Sequence, residues 1–160
     1  MGTDMVPMID LSGARVGDGV ATDAVTERMN AALTSSGFFM VSGHGVPQGV
    51  TDRAVAAMEN FFAAPMDVKM AIRSTVSGSP RGYLPFGLET LSHTEGKVAP
   101  PDLKEGFGMG PFWLDDPERM ARFGQTYNRN VWPDLSGFRA DIEVFYAAME
   151  DLTQLLMDLF

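Results

Sequence analysis

Phe138, Ile142, Phe145, Met149, Leu152, Leu156 and Leu159 recur at alternating intervals of four and three residues. On a helix of 3.6 residues per turn these positions share one face, which Val144, Leu155 and Phe160 widen. Such a face constrains the whole chain, because burying each Leu or Phe side chain is worth about 1.5–3 kcal/mol. The helix must therefore pack against something. No glycine, asparagine or proline closes the pattern before Phe160, and a helix this apolar at a free terminus needs a partner surface. The expectation is a sequence cut within a larger protein.

The residues before it alternate between helical and strand-like patterns. "VPMIDLS" reads as a short strand. A helix is predicted from Thr22 to Ser36, with Val25, Met29, Ala32 and Leu33 on one face, Thr22 or Asp23 as its cap, and Gly37 in the left-handed position that ends it. "FFMVS", Phe38 to Ser42, is a short apolar run and predicts a buried strand. A second helix follows Pro47, with Val50, Ala54, Ala57, Met58 and Phe61 as its stripe, and after Pro65 "MDVKMAI" predicts another short one. From Ser74 to Pro111 Gly, Pro and Ser become frequent. There "RGYLPFG" predicts turns around a strand-like core and "LKEGFGMG" a half-exposed strand. The class is α+β, on a chain of 160 residues, about one domain long.

Composition removes several functions. A net charge of −9 argues against binding a nucleic-acid backbone, which needs clustered Lys and Arg. No run approaches the ~18 apolar residues of a membrane span. "MGTDMVPMID" shows no secretory pattern, so cytoplasmic residence is expected. Zero cysteines exclude disulfides, thiolate metal sites and a cysteine nucleophile.

The remaining chemistry rests on few residues. His93-Thr94-Glu95 has the H-x-E spacing, and with His44 it would supply two histidines and a carboxylate, a set that non-haem Fe(II) oxygenases use. The simpler reading is that "SHTEGK" is a polar surface loop and that His44, between Gly43 and Gly45, shapes a turn out of the preceding strand. "GFGMG" lacks the lysine of a phosphate loop, and no G-x-S-x-G elbow occurs. Glu89, Glu95, Asp102 and Glu105 are expected to be solvated or paired with Lys97, Lys104 and Arg81. The 12 methionines fall mainly on helix stripes, as core residues do.

Six segments, in order, resemble one family. "VPMIDLS" resembles the opening strand of the isopenicillin N synthase-like 2-oxoglutarate/Fe(II)-dependent oxygenases. "GFFMVSGHGVP" resembles their signature strand-turn, where the family usually has asparagine in place of Gly43. "FFAAPMDVKM", "RGYLPFGLE", "DLKEGFGMG" and "NVWP" are similar to the phenylalanine-pair helix end, the Gly-Tyr segment, the Asp-x-Lys-Glu strand and the Asn-x-Trp-Pro turn before a long helix.

The resemblance implies that residues 1–160 are a non-haem dioxygenase N-terminal domain, the helical and short-strand portion of a double-stranded β-helix (jelly-roll) oxygenase whose barrel core lies elsewhere. The intact protein would use Fe(II) and 2-oxoglutarate, releasing succinate while it oxidises, most commonly hydroxylates, a small organic molecule. The family's His-x-Asp, distant His and 2-oxoglutarate arginine do not occur in this stretch, so the 160 residues alone are expected to carry no catalytic or metal-ligating residue, to bind no cofactor and to be inactive. The partners implied are the C-terminal barrel and a small-molecule substrate, with no nucleic acid and no membrane. By the same resemblance Arg81 and Tyr83 are the expected substrate-binding residues, Arg81 for a carboxylate and Tyr83 as an apolar wall with a polar tip. The competing reading is a self-standing, non-catalytic binding or regulatory domain that associates through its C-terminal helix.

Overall fold

The computed structural model describes residues 6–74, 80–87, 102–112, 116–123 and 129–160. Its elements are β1 (Met8–Asp10), α1 (Ser12–Arg15), α2 (Gly19–Ser35), β2 (Met40–Ser42), α3 (Gln48–Ala63), α4 (Met66–Ala71), β3 (Gly82–Leu84), β4 (Gly106–Gly108), α5 (Pro117–Phe123) and α6 (Phe138–Leu159). The described strands form two two-stranded sheets, with no closed barrel among them, in agreement with an α+β portion of a larger fold. The chain divides into two compact units, residues 1–51 with 144–160, and residues 52–143. No helix among the described residues is long and apolar enough to cross a membrane.

In the first unit β1 and β2 pair in parallel, with Ile9 opposite Val41. Asp10 Oδ1 accepts the Ser12 hydroxyl at 2.7 Å and the Ser12 amide at 3.0 Å, which turns the chain out of β1 and holds the Asp10 carboxyl below its ordinary range. α2 begins earlier than its apolar periodicity indicates. Its cap is Asp18, not Thr22 or Asp23, and accepts the amides of Val20 and Ala21 at 3.0 and 3.3 Å. Gly17 at φ 76° delivers Asp18 to the extended conformation a cap needs, and the exposed Val20 in the first turn carries no apolar signal of the start. Val25, Met29 and Ala32 are buried as their stripe predicts, while Leu33 lies exposed at its edge. Gly37 ends the helix at φ 78°.

β2 is shorter and less buried than "FFMVS" predicts. Phe39 and Val41 turn into the core, but Phe38 and Met40 are exposed, because alternate strand residues face opposite sides. The core of this unit joins Ile9, Leu11, Val25 and Met29 to Leu152, Leu156 and Leu159 at the C-terminal end of α6.

In the second unit the α3 stripe is borne out at Ala54, Ala57 and Phe61. Phe61 is fully buried, and its ring lies 5.4 Å from Phe107, 5.5 Å from Phe138 and 6.1 Å from Tyr83 between centroids. The contacts with Phe107 and Tyr83 are edge-to-face, which favours the ring quadrupoles, and that with Phe138 is tilted. α5 is an element the apolar pattern does not announce. Asp116 caps it, accepting the Glu118 amide at 2.9 Å. Along α6, Phe138, Ile142 and Leu159 are buried, Phe145, Met149, Leu152 and Leu156 are half-buried, and Met157 and Phe160 are exposed.

Candidate functional site

The β3–β4 hairpin is built on close backbone approach. Gly82, Tyr83 and Leu84 face Gly108, Phe107 and Gly106 in an antiparallel register. Gly82 has φ 74°, and a Cβ there would collide with the Ile72 carbonyl oxygen, which also accepts the Tyr83 amide at 3.2 Å. Only glycine lets the exit of α4 lie flush on β3. A Cβ on Gly108 would likewise collide with the Pro80 carbonyl oxygen.

This packing brings three distant side chains together. The Lys69 ammonium, on α4, donates to Glu105 Oε2 at 2.9 Å and to the Phe62 carbonyl at 3.1 Å. The Tyr83 hydroxyl donates to the same Glu105 oxygen at 2.6 Å. Lys69 is 6% exposed and Tyr83 1%, while the shared Glu105 is half-buried, so both interactions are largely shielded from water. The hydrogen bond to Glu105, reinforced by burial, pushes the Tyr83 hydroxyl up to about 12. The Tyr83 and Lys69 hydrogen bonds hold the Glu105 carboxyl below its ordinary range, against the opposing effect of burial. Neither Tyr83 nor Glu105 therefore exchanges a proton near neutral pH. What the cluster does is fasten α4, β3 and the approach to β4 to one another. The expectation that Glu105 is solvated or paired with Lys97, Lys104 or Arg81 is corrected here: Lys69, which α4 turns inward, forms its ion pair.

Arg81 and Tyr83, the expected substrate-binding residues, flank Gly82. Arg81 is 8% exposed, with its guanidinium packed so closely over Gly110 that a Cβ there would collide with it. Gly110 is itself clasped by Asn130, whose side-chain amide accepts the Gly110 N–H and donates to the Gly110 carbonyl, both at 2.8 Å. Sequence reasoning missed Lys69, Glu105 and Asn130 as partners of this segment. The one signal available was that Lys69, Tyr83 and Glu105 sit in three different segments of the family resemblance.

His44 lies in the first unit. Its Nδ1 accepts the Val46 amide at 3.1 Å, between Gly43 at φ 60° and Gly45 at φ 79°. A Cβ on Gly43 would meet Asp10 and Ser12, and one on Gly45 the Arg15 guanidinium. The histidine thus closes a turn packed on the β1–α1 corner, as its glycine neighbours predict. Beside it is a cleft of about 290 Å³ lined by Arg15, His44, Asp151 and Leu155, among others. Glu89, His93, Glu95 and Lys97 lie outside the described residues. Among the described residues no three His, Asp or Glu side chains are grouped to hold a metal ion.

Residues 6–135 match the family model described as non-haem dioxygenase in morphine synthesis N-terminal. The chain is 38% identical over 145 residues to a 2-oxoglutarate-dependent dioxygenase of Monascus ruber, covering 87% of this chain and 42% of that protein. It resembles the crystal structure of a Caulobacter crescentus protein assigned to the 2OG-Fe(II) oxygenase family, with a TM-score of 0.77 and 26% identity, over 98% of this chain and 48% of that one. A likeness of fold alone extends to a full-length Neurospora crassa protein crystallised with alpha-KG, with a TM-score of 0.75 and 23% identity, over 99% of this chain and 47% of that one. The chain thus spans less than half the length of the relatives it matches.

Proposed function

Because this chain belongs to the non-haem dioxygenase N-terminal family, we propose that it is the N-terminal portion of a 2-oxoglutarate- and Fe(II)-dependent oxygenase that oxidises, most simply hydroxylates, a small organic molecule. The observation that carries this reading is the family match over residues 6–135. Three of the family-like segments, carrying Lys69, Tyr83 and Glu105, also converge on one buried cluster, which supports treating them as parts of one framework.

In this reading residues 1–160 form the N-terminal domain, and a C-terminal barrel binds Fe(II) and 2-oxoglutarate. In the same reading the metal and co-substrate belong to the barrel, and residues 1–160 by themselves are proposed to be inactive. Their proposed contribution is a rigid cover and part of the substrate pocket. Arg81 and Tyr83 remain the proposed substrate-binding residues. The Tyr83 hydroxyl serves Glu105, so its proposed part is an apolar wall, and Arg81 is the proposed residue for a substrate carboxylate.

The test is to read the coding sequence beyond Phe160. The proposal requires a His-x-Asp and a later His in the following residues. A reading frame that closes without them sinks it.

A further inference from the structure

Sulfur chemistry in these 160 residues belongs to methionine, since there are 12 methionines and no cysteine. Among the described residues one methionine sulfur takes part in a hydrogen bond. Met66 Sδ, at the start of α4, lies 3.7 Å from the Tyr83 hydroxyl. The two partners differ in access, for Met66 is 51% exposed and Tyr83 1%. An exposed thioether is therefore in contact with a buried hydroxyl. Met70 and Met157 are also exposed, but among the described residues neither sulfur has a hydrogen-bond partner.

The Tyr83 hydroxyl has one proton, and its 2.6 Å bond to Glu105 Oε2 holds it. The sulfur is the lesser acceptor, as a thioether is a weak one. Met66 precedes Lys69 by three positions on α4, so the two are neighbours on the helix surface. Met66 is in this way the solvent-exposed edge of the Lys69–Tyr83–Glu105 cluster. Oxidation converts a flexible apolar thioether into a polar sulfoxide, whose oxygen is a far better acceptor than the sulfur it replaces.

We propose that Met66 is a modification site for hydroperoxides, and that its sulfoxide loosens α4 from β3 by competing with Glu105 for the Tyr83 hydroxyl. A sulfur lone pair attacks one peroxide oxygen, the O–O bond breaks and the S–O bond forms. Sulfur loses two electrons, the peroxide gains them, and water or an alcohol leaves. A methionine sulfoxide reductase restores the thioether. The new oxygen has two places to go. Where it takes the Tyr83 proton, Glu105 keeps only Lys69 of its two described partners. Where it turns to solvent, the side chain leaves the hydroxyl uncovered. Both weaken the link between α4 and β3. Every atom involved belongs to residues 52–143, so the inference is independent of the proposed function.

Dilute hydrogen peroxide applied to the complete polypeptide, followed by peptide mass mapping and urea denaturation, tests it. Met66 should be oxidised at least about tenfold faster than Met29, which is 2% exposed. The treatment should lower the denaturation midpoint of the unaltered protein more than that of Met66→Leu, a swap that keeps the volume and removes the reactive sulfur. Met66→Gln, which supplies a polar acceptor without peroxide, should lower the midpoint more than Met66→Leu does. In a Tyr83→Phe background, which lacks the hydroxyl, the peroxide-induced difference between Met66 and Met66→Leu should vanish. Met66 oxidised as slowly as Met29 would overturn the proposal, because the rest of the polypeptide would then cover it. A Met66-dependent loss that persists in the Tyr83→Phe background would also overturn it, as an effect of packing alone. So would equal peroxide-induced losses in the unaltered protein and Met66→Leu.

Discussion

Lys69 Nζ lies 2.9 Å from Glu105 Oε2 although 36 residues separate them, and the Tyr83 hydroxyl shares the same carboxylate oxygen. A largely buried pair of this kind costs little when both partners are present and much when one is removed. Lys69→Met should therefore destabilise the protein by about 3–5 kcal/mol in urea denaturation. The double variant Lys69→Met/Glu105→Leu should recover a good part of that loss. Single and double effects that add to within about 0.5 kcal/mol would show that the pair is not coupled.

The same cluster sets two limbs of a pH–stability profile. Glu105 is held below its ordinary value of 4.5, so its contribution is present above that pH and is lost as pH falls through the depressed folded-state value. Tyr83 is raised from 10.0 to about 12, so its contribution is complete below pH 10 and is lost as pH rises toward 12. Glu105→Gln should flatten the acid limb and Tyr83→Phe the alkaline one, read as melting temperature against pH. A Tyr83→Phe profile that still falls as steeply between those two values would contradict the assignment.

Two glycines should differ in their tolerance of alanine. Gly45→Ala places a side chain at φ 79°, at a cost of about 1–2 kcal/mol, and the Arg15 guanidinium it meets is able to swing aside. Gly82→Ala adds to a similar strain a collision with the Ile72 carbonyl, a backbone atom that cannot move without displacing α4. Denaturation midpoints should thus fall further for Gly82→Ala, and the reverse order would argue against the β3 packing described.

His44→Ala should cost about 0.5–1.5 kcal/mol, the net value of its hydrogen bond from the Val46 amide. Iron bound by the complete polypeptide, on the proposed function, should be unchanged in this variant. Loss of stoichiometric iron, measured by elemental analysis, would return His44 to the list of ligands.

If the complete polypeptide is the proposed oxygenase, Arg81→Ala should raise its substrate KM while uncoupled 2-oxoglutarate decarboxylation survives. Tyr83→Phe should alter substrate kinetics less, because its hydroxyl is bonded to Glu105. Unchanged substrate kinetics in both variants would remove them from the pocket.

Much of this architecture was legible because local rules decide it. Pro47, Pro65 and the Ala54–Ala57–Phe61 spacing locate α3 and α4, and Gly37 marks the end of α2. α5 went unread: its signal is the order Asp116-Pro117-Glu118, a cap followed by proline and an acidic first turn, but its weak apolar pattern hides it. The Lys69–Glu105–Tyr83 cluster was not legible, since no local rule links positions so far apart. A lysine on a short helix reads as solvated until β3 and β4 are seen to close over it. The exposed side of β2 was misjudged for a related reason, because an apolar run does not say how many of its sides this chain covers.

The most direct test of the central claim is succinate formation from 2-oxoglutarate by the complete polypeptide, measured with and without Fe(II), beside residues 1–160 alone. Fe(II)-dependent succinate is expected from the complete protein and none from the 160 residues. Succinate from residues 1–160, or none from the complete protein with iron and 2-oxoglutarate supplied across a panel of small organic substrates, would contradict it.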